Sequence, residues 1–210
     1  MGHNGSLDFL DMIKNTSAPT ISNKEKVERI AVIDTETNWH NQLMSMGIAI
    51  ADKDTFKCLD KRYYIFEPEC YVGGMYSNVL RKRGTNAETG NRKSIIQMAK
   101  VFLDNNAVSK IFAYNAKFDH GLLPELRTYE WYDIMRLAAY KQYNKTLPET
   151  LEFCKTGRLK TGYGVEPILR MLSGNASYEE THNAVLDAVD ELMIMELLGQ
   201  EIGVYNCGRL

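Results

Sequence analysis

From Arg29 onward, short apolar runs alternate with polar turns. Three of them, 29–37, 44–51 and 58–67, are rich in β-branched, aromatic and other apolar residues and read as strands. Three strands in succession predict an antiparallel meander. The period then changes: Ile95, Met98, Ala99 and Phe102 share one helical face within 94–105, and a further strand is expected at 110–114. Helices are expected at 148–155, 164–172 and 183–198, the last with Val185, Ala188, Val189, Leu192 and Met195 on one side. Strands first, then alternating strand and helix, predict an α/β domain with a mixed sheet and flanking helices. Ahead of it, Leu7, Leu10 and Ile13 stand at helical spacing before a polar linker at 15–20. This stretch reads as a frayed tail or a packed helix, with a docking peptide for a partner protein as the second reading. The expected division is a tail at 1–27, a domain at 28–200 and a C-terminal tail at 201–210.

Composition narrows the class. A chain of 210 residues suits one domain with a full core, and 44% apolar with 25% charged residues is a globular balance. No apolar run approaches the length of a bilayer, so no membrane association is expected. A net charge of −2 argues against coating duplex nucleic acid by bulk positive charge, although gripping one chain end needs far less. Cys58, Cys70, Cys154 and Cys207 lie far apart with no C-x-x-C pair, which indicates neither a disulfide framework nor a structural zinc site. With no secretory segment in view, a cytoplasmic setting is expected.

Three short segments carry the candidate chemistry. The first is Ile30-Ala31-Val32-Ile33-Asp34-Thr35-Glu36-Thr37, an apolar strand ending in two acids. Side chains alternate across a strand, so Asp34 and Glu36 point to one face and Thr35 to the other. Alone, such a D-x-E reads as a strand leaving for solvent through an acidic turn. The second is Asn115-Ala116-Lys117-Phe118-Asp119-His120, which follows the strand at 110–114 and puts Asp119 at a strand-to-helix transition. Alone, Asp119 reads as an N-cap, Phe118 as core, and His120 as a surface or packing residue. The third is His182-Asn183-Ala184-Val185-Leu186-Asp187. Five residues correspond to about 140° around a regular helix, so His182 and Asp187 converge only if the helix starts near Asn183 with His182 outside it. Asp190 and Glu191 lie on the same helical face as Asp187 and compete with it as ligands.

Taken together, the segments raise an electrostatic question. Carboxylates about 5 Å apart repel by roughly 3 kcal/mol per pair at an effective dielectric of about 20. A divalent cation offsets this cost, and oxygen ligands suit Mg²⁺ or Mn²⁺. Two such ions stabilise both the attacking and leaving oxygens of an in-line displacement at phosphorus, which points to phosphodiester hydrolysis.

In this order, D-x-E-T, N-A-x-F-D and H-x(4)-D resemble the DEDDh superfamily of 3′→5′ exonucleases, from about Arg29 to Leu198. The resemblance implies an RNase H-like fold, two metal ions and, as substrate, the 3′ end of DNA or RNA. It implies catalytic roles for Asp34, Glu36, Asp119, His182 and Asp187, with the four acids as metal ligands and His182 as general base. It also puts substrate against Thr35, Thr37, Trp39 and Asn115. The tyrosine branch of the superfamily has tyrosine where this chain has Asn183, which leaves the histidine branch. Many members carry glycine soon after D-x-E-T, whereas Asn38-Trp39-His40 follows here, so Trp39 reads equally as a stacking face for a base or as packing. Arg81, Lys82, Arg83, Arg92 and Lys93 give the 81–93 connection a basic character, read as a solvated loop or as a guide for phosphates. Single-stranded DNA is the expected substrate. Trimming of short RNA, or an inactive module that binds nucleic acid or a polymerase, are the alternatives.

Overall fold

The computed structural model describes residues 28–210. The reading of residues 1–27 as a tail or docking peptide therefore lies outside the described residues. Six strands form one mixed sheet: β1 (Arg29–Thr37), β2 (Leu43–Asp52), β3 (Cys58–Phe66), β4 (Ala87–Gly90), β5 (Lys110–Ala113) and β6 (Glu130–Asp133). Their spatial order is β4-β3-β2-β1-β5-β6. The first three make the expected antiparallel meander, β4 runs parallel to β3, and β5 and β6 run parallel to β1.

Alternation along β1 divides the core. Ile30 and Val32 pack on one side with Ala49, Phe112, Ile168, Ala188 and Leu192. Ala31 and Ile33 pack on the other with Ile48, Ile50, Ile95, Ala99 and Trp131. Among the described residues five helices flank the sheet: α1 (Arg92–Asn105), α2 (Lys117–Leu122), α3 (Met135–Ala138), α4 (Val165–Ser173) and α5 (Ala184–Leu198). Asn91 caps α1 by accepting from the Ser94 N–H, and α4 ends at Gly174 in the left-handed region. Among the described residues no helix is long and apolar enough to cross a membrane.

One expectation is corrected. Residues 148–155 form no helix: Phe153 bridges to Leu159, and the Cys154 N–H donates to the Arg158 carbonyl at 2.7 Å. The apolar residues there, Leu151 and Phe153, are two apart, a strand-like spacing that suits this narrow hairpin. Residues 202–208, assigned to a C-terminal tail, form a 3-10 helix whose Tyr205 is fully buried against Phe56 and Phe112.

Candidate active site

The parallel run of β1, β5 and β6 opens their carboxyl ends on one edge of the sheet, where the predicted acids gather. By alternation, Asp34 and Glu36 share the face of Ile30 and Val32, the side covered by α5. Gly47 lets that helix reach them. It pairs with Asp34 across the β1–β2 ladder, and a Cβ on it would stand 2.1 Å from the Ala184 carbonyl oxygen and 2.4 Å from the Val185 Cα. Only a residue without a side chain lets the first turn of α5 lie on the strand backbone.

The helix begins at Ala184, with Asn183 at the N-cap position and His182 just outside it at φ +57°. The convergence demanded by the H-x(4)-D spacing is met. Ligand atoms of Glu36, His182 and Asp187 all lie within 4.8 Å of one another.

Asp119 sits in the first turn of α2 but does not cap it, since Ala116 holds that position without a side-chain bond. Instead the Thr35 hydroxyl donates to Asp119 Oδ1 at 2.6 Å. Thr35, expected against substrate, is thus buried and engaged with an acid. Thr37 is partly exposed at the end of β1, and Trp39, just beyond it, is 65% exposed. Asn115 is exposed at φ +60°, and its backbone N–H donates to Asp133 Oδ1 at 3.0 Å. Phe118 is not core: it is 49% exposed, because its neighbour Asp119 takes the inward side of the short helix. His120 packs edge-on against Trp131.

The rival acids on α5 have other partners. The Tyr178 hydroxyl donates to Asp190. The Tyr114 N–H donates to Glu191 Oε2 at 2.9 Å, tying the end of β5 to α5 through a buried carboxylate. Glu180, which the sequence reading missed, stands in the irregular segment before α5, where neither helical nor strand spacing marks it. Its charge nonetheless acts on both Glu36 and Asp187.

So many acids in one place shift each other. Burial, then the charges of Glu191, Asp119, Asp187 and Glu36, hold Asp34 well above the usual carboxylate range. Burial with Glu180 and Asp119 pushes Glu36 up to about 8. Burial with Glu180, Glu36 and Asp190 does the same to Asp187, also to about 8. Partial burial lowers His182 below its ordinary value. Asp34 Oδ2 and Asp187 Oδ1 are buried without a hydrogen-bond partner. Orphaned carboxylate oxygens among like charges are what a divalent cation satisfies, so the donor set fits one.

The basic 81–93 segment is not one long connection, since it contains β4 and the start of α1. Arg92 pairs with Glu125 at 2.8 Å, and Arg81 lies 3.9 Å from Glu67. Lys82 Nζ reaches Thr181 Oγ1 at 3.3 Å, one residue from His182.

A mixed sheet in this strand order, with acids at the carboxyl ends of its parallel strands, is the DEDDh exonuclease-like, RNase H-like fold. The nuclease domain of 3′hExo, a DEDDh family member solved with bound rAMP, matches at a TM-score of 0.54 and 11% identity. The match covers 81% of this chain and 90% of that one. A full-length 3′-exonuclease matches at 0.56 and 12%, covering 83% and 84%. The zinc-ion-bound E. coli ExoI–ssDNA complex matches at 0.55 and 13%, covering 81% of this chain but only 40% of that one. The chain thus spans less than half the length of that neighbour. No protein-family model and no curated protein sequence matches the chain. At these identities the likeness is one of fold.

Proposed function

We propose that the chain is a metal-dependent 3′→5′ exonuclease that hydrolyses the terminal phosphodiester bond of single-stranded DNA. The observation that carries this reading is the convergence of Glu36, His182 and Asp187 within 4.8 Å, beside an Asp34 oxygen that is buried and unpartnered. Asp34, Glu36 and Asp187 would hold one divalent cation, Mg²⁺ or Mn²⁺. Asp34 and Asp119, the latter kept in place by the Thr35 hydroxyl, would hold a second. When bound, these ions supply the positive charge that favours ionised water and a departing 3′ oxygen. His182, with its ionisation lowered, is neutral near pH 7 and accepts the proton of the attacking water at a ring nitrogen. The water oxygen bonds to phosphorus as the bond to the 3′ oxygen breaks. Trp39 offers an exposed ring to the terminal base, and Thr37 and Asn115 stand at the same edge of the sheet.

The similar structures support this reading, one being an exonuclease complex with single-stranded DNA. Another describes recognition of a histone mRNA stem-loop by a 3′-exonuclease, which favours RNA as the second reading of substrate. Digestion of 5′-labelled single-stranded DNA and matched RNA with Mg²⁺, Mn²⁺ or EDTA, beside Asp34→Ala, tests both. A ladder shortening from the 3′ end, absent with EDTA and in the variant, is expected, with DNA cut faster than RNA. Absence of cleavage with every metal, from a folded chain, would overturn the enzymatic reading and leave a binding module.

A further inference from the structure

Between β3 and β4 the chain makes an excursion that touches the site from the side opposite α2. Its central turn, Ser77–Val79, is a 3-10 helix preceded by Tyr76. The Tyr76 ring lies flat on the His182 imidazole, with centroids 3.9 Å apart and planes 14° from parallel. We propose that Tyr76 is a positioning residue that holds the His182 ring in the orientation needed to take the proton. This rests on the reading of His182 as general base.

The stack is anchored at both ends. On the histidine side, Asn183 directs its side chain away from the helix it precedes. Its Nδ2 donates to the Val79 carbonyl at 2.9 Å and to the Tyr63 hydroxyl at 3.2 Å. The Tyr63 hydroxyl in turn donates to the Leu80 carbonyl at 2.8 Å, so consecutive residues, His182 and Asn183, both grip the 76–80 turn. On the tyrosine side, buried Asn38 receives the N–H groups of His40 and Gln42 and donates to the Glu69 carbonyl at 3.0 Å. The Trp39 N–H donates to the Gly73 carbonyl at 2.9 Å, and a Cβ on Gly74 would meet the Thr37 carbonyl at 2.6 Å. The excursion is therefore pressed onto the end of β1, directly beyond Glu36.

His182 needs such support. Its backbone lies in the left-handed region ahead of α5, outside the hydrogen-bond ladder that fixes Asp187. Its ring is only partly buried and has no side-chain hydrogen bond among the described residues. A coplanar ring at van der Waals distance removes the rotamers that would swing the imidazole off the site.

The test compares steady-state kinetics on a 5′-labelled single-stranded oligonucleotide with Mn²⁺ for wild type, Tyr76→Leu, Tyr76→Phe, His182→Ala and the Tyr76→Leu/His182→Ala double variant. Circular dichroism and thermal melting serve as folding controls. Tyr76→Leu is expected to lower kcat about tenfold with KM within about twofold, and Tyr76→Phe to restore most of that loss because it keeps the ring. The double variant should be no slower than His182→Ala, since one residue acts through the other. In the folded chain, the His182 ring-proton resonances should lose their upfield ring-current shift in Tyr76→Leu alone. An undiminished kcat in Tyr76→Leu, a raised KM at constant kcat, or a double variant in which the losses multiply would overturn the proposal while leaving His182 as base. Full activity in His182→Ala would overturn the parent reading and the proposal with it.

Discussion

Asp34, Glu36 and Asp187 stand on β1 and α5, elements packed into the centre of the molecule. His182, Glu180 and the residues facing them at 68–83 lie outside the sheet and the long helices, secured by a handful of side-chain hydrogen bonds. The first region places charge by packing, which tolerates little change. The second places a ring by contacts that can be removed one at a time. Loss of an acid should therefore abolish function at little structural cost, and loss of a wall contact should degrade function in steps.

The largest effect is expected from Asp34→Asn. Cleavage should fall on the order of a thousandfold, since a carboxylate proposed to hold the metal is lost. The same change removes a buried acid that burial and neighbouring acids force to keep its proton at a cost relative to the unfolded chain, so the metal-free melting temperature should rise, as calorimetry in EDTA would register. Gly47→Ala breaks the floor mechanically. A methyl group 2.1 Å from the Ala184 carbonyl has to displace α5, with a cost of about 1–3 kcal/mol in urea unfolding and a severe loss of cleavage.

Glu36 and Asp187 are pushed up to about 8 from ordinary values of 4.5 and 3.8, so the folded chain keeps protons that the unfolded chain has released. Wherever the folded state binds more protons, stability falls as pH rises. In EDTA the melting temperature should therefore drop between about pH 5 and about pH 8, and saturating Mg²⁺ should flatten the decline. A metal-free melting temperature that rises across this window would contradict the shifts. On the wall, Asn38→Ala should cost about 1–2 kcal/mol by freeing the excursion, with a smaller loss of kcat than any acid variant. Smallest in stability is Trp39→Ala, expected within about 0.5 kcal/mol of wild type because the side chain is exposed. Its effect should appear as a KM raised by about tenfold for single-stranded substrate, and an unchanged KM would remove Trp39 from the substrate path.

This division also marks what was legible in the sequence. β1 was readable to the residue because an apolar run ends abruptly in acids, and the start of α5 followed from the geometry of His182 and Asp187 on a helix. β4 and β6 were not, since four residues at a sheet edge show no usable period. The hairpin at 153–159 was misread as helix for a related reason, as two apolar residues say little about period. The contacts that assemble the wall join residues far apart in the chain: Asn183 with Tyr63 and Val79, Tyr76 with His182, Gly47 with Ala184. Local pattern carries no information about such pairs. Thr35 was placed against substrate by motif position alone, whereas its hydroxyl engages Asp119.

The most direct test of the central claim, that the acid cluster is completed by divalent cations, is a calorimetric titration of the metal-free chain with Mn²⁺, with Asp34→Asn alongside. Two ions are expected to bind per chain, and both to be lost in the variant. No binding, or binding unchanged by the substitution, would contradict it.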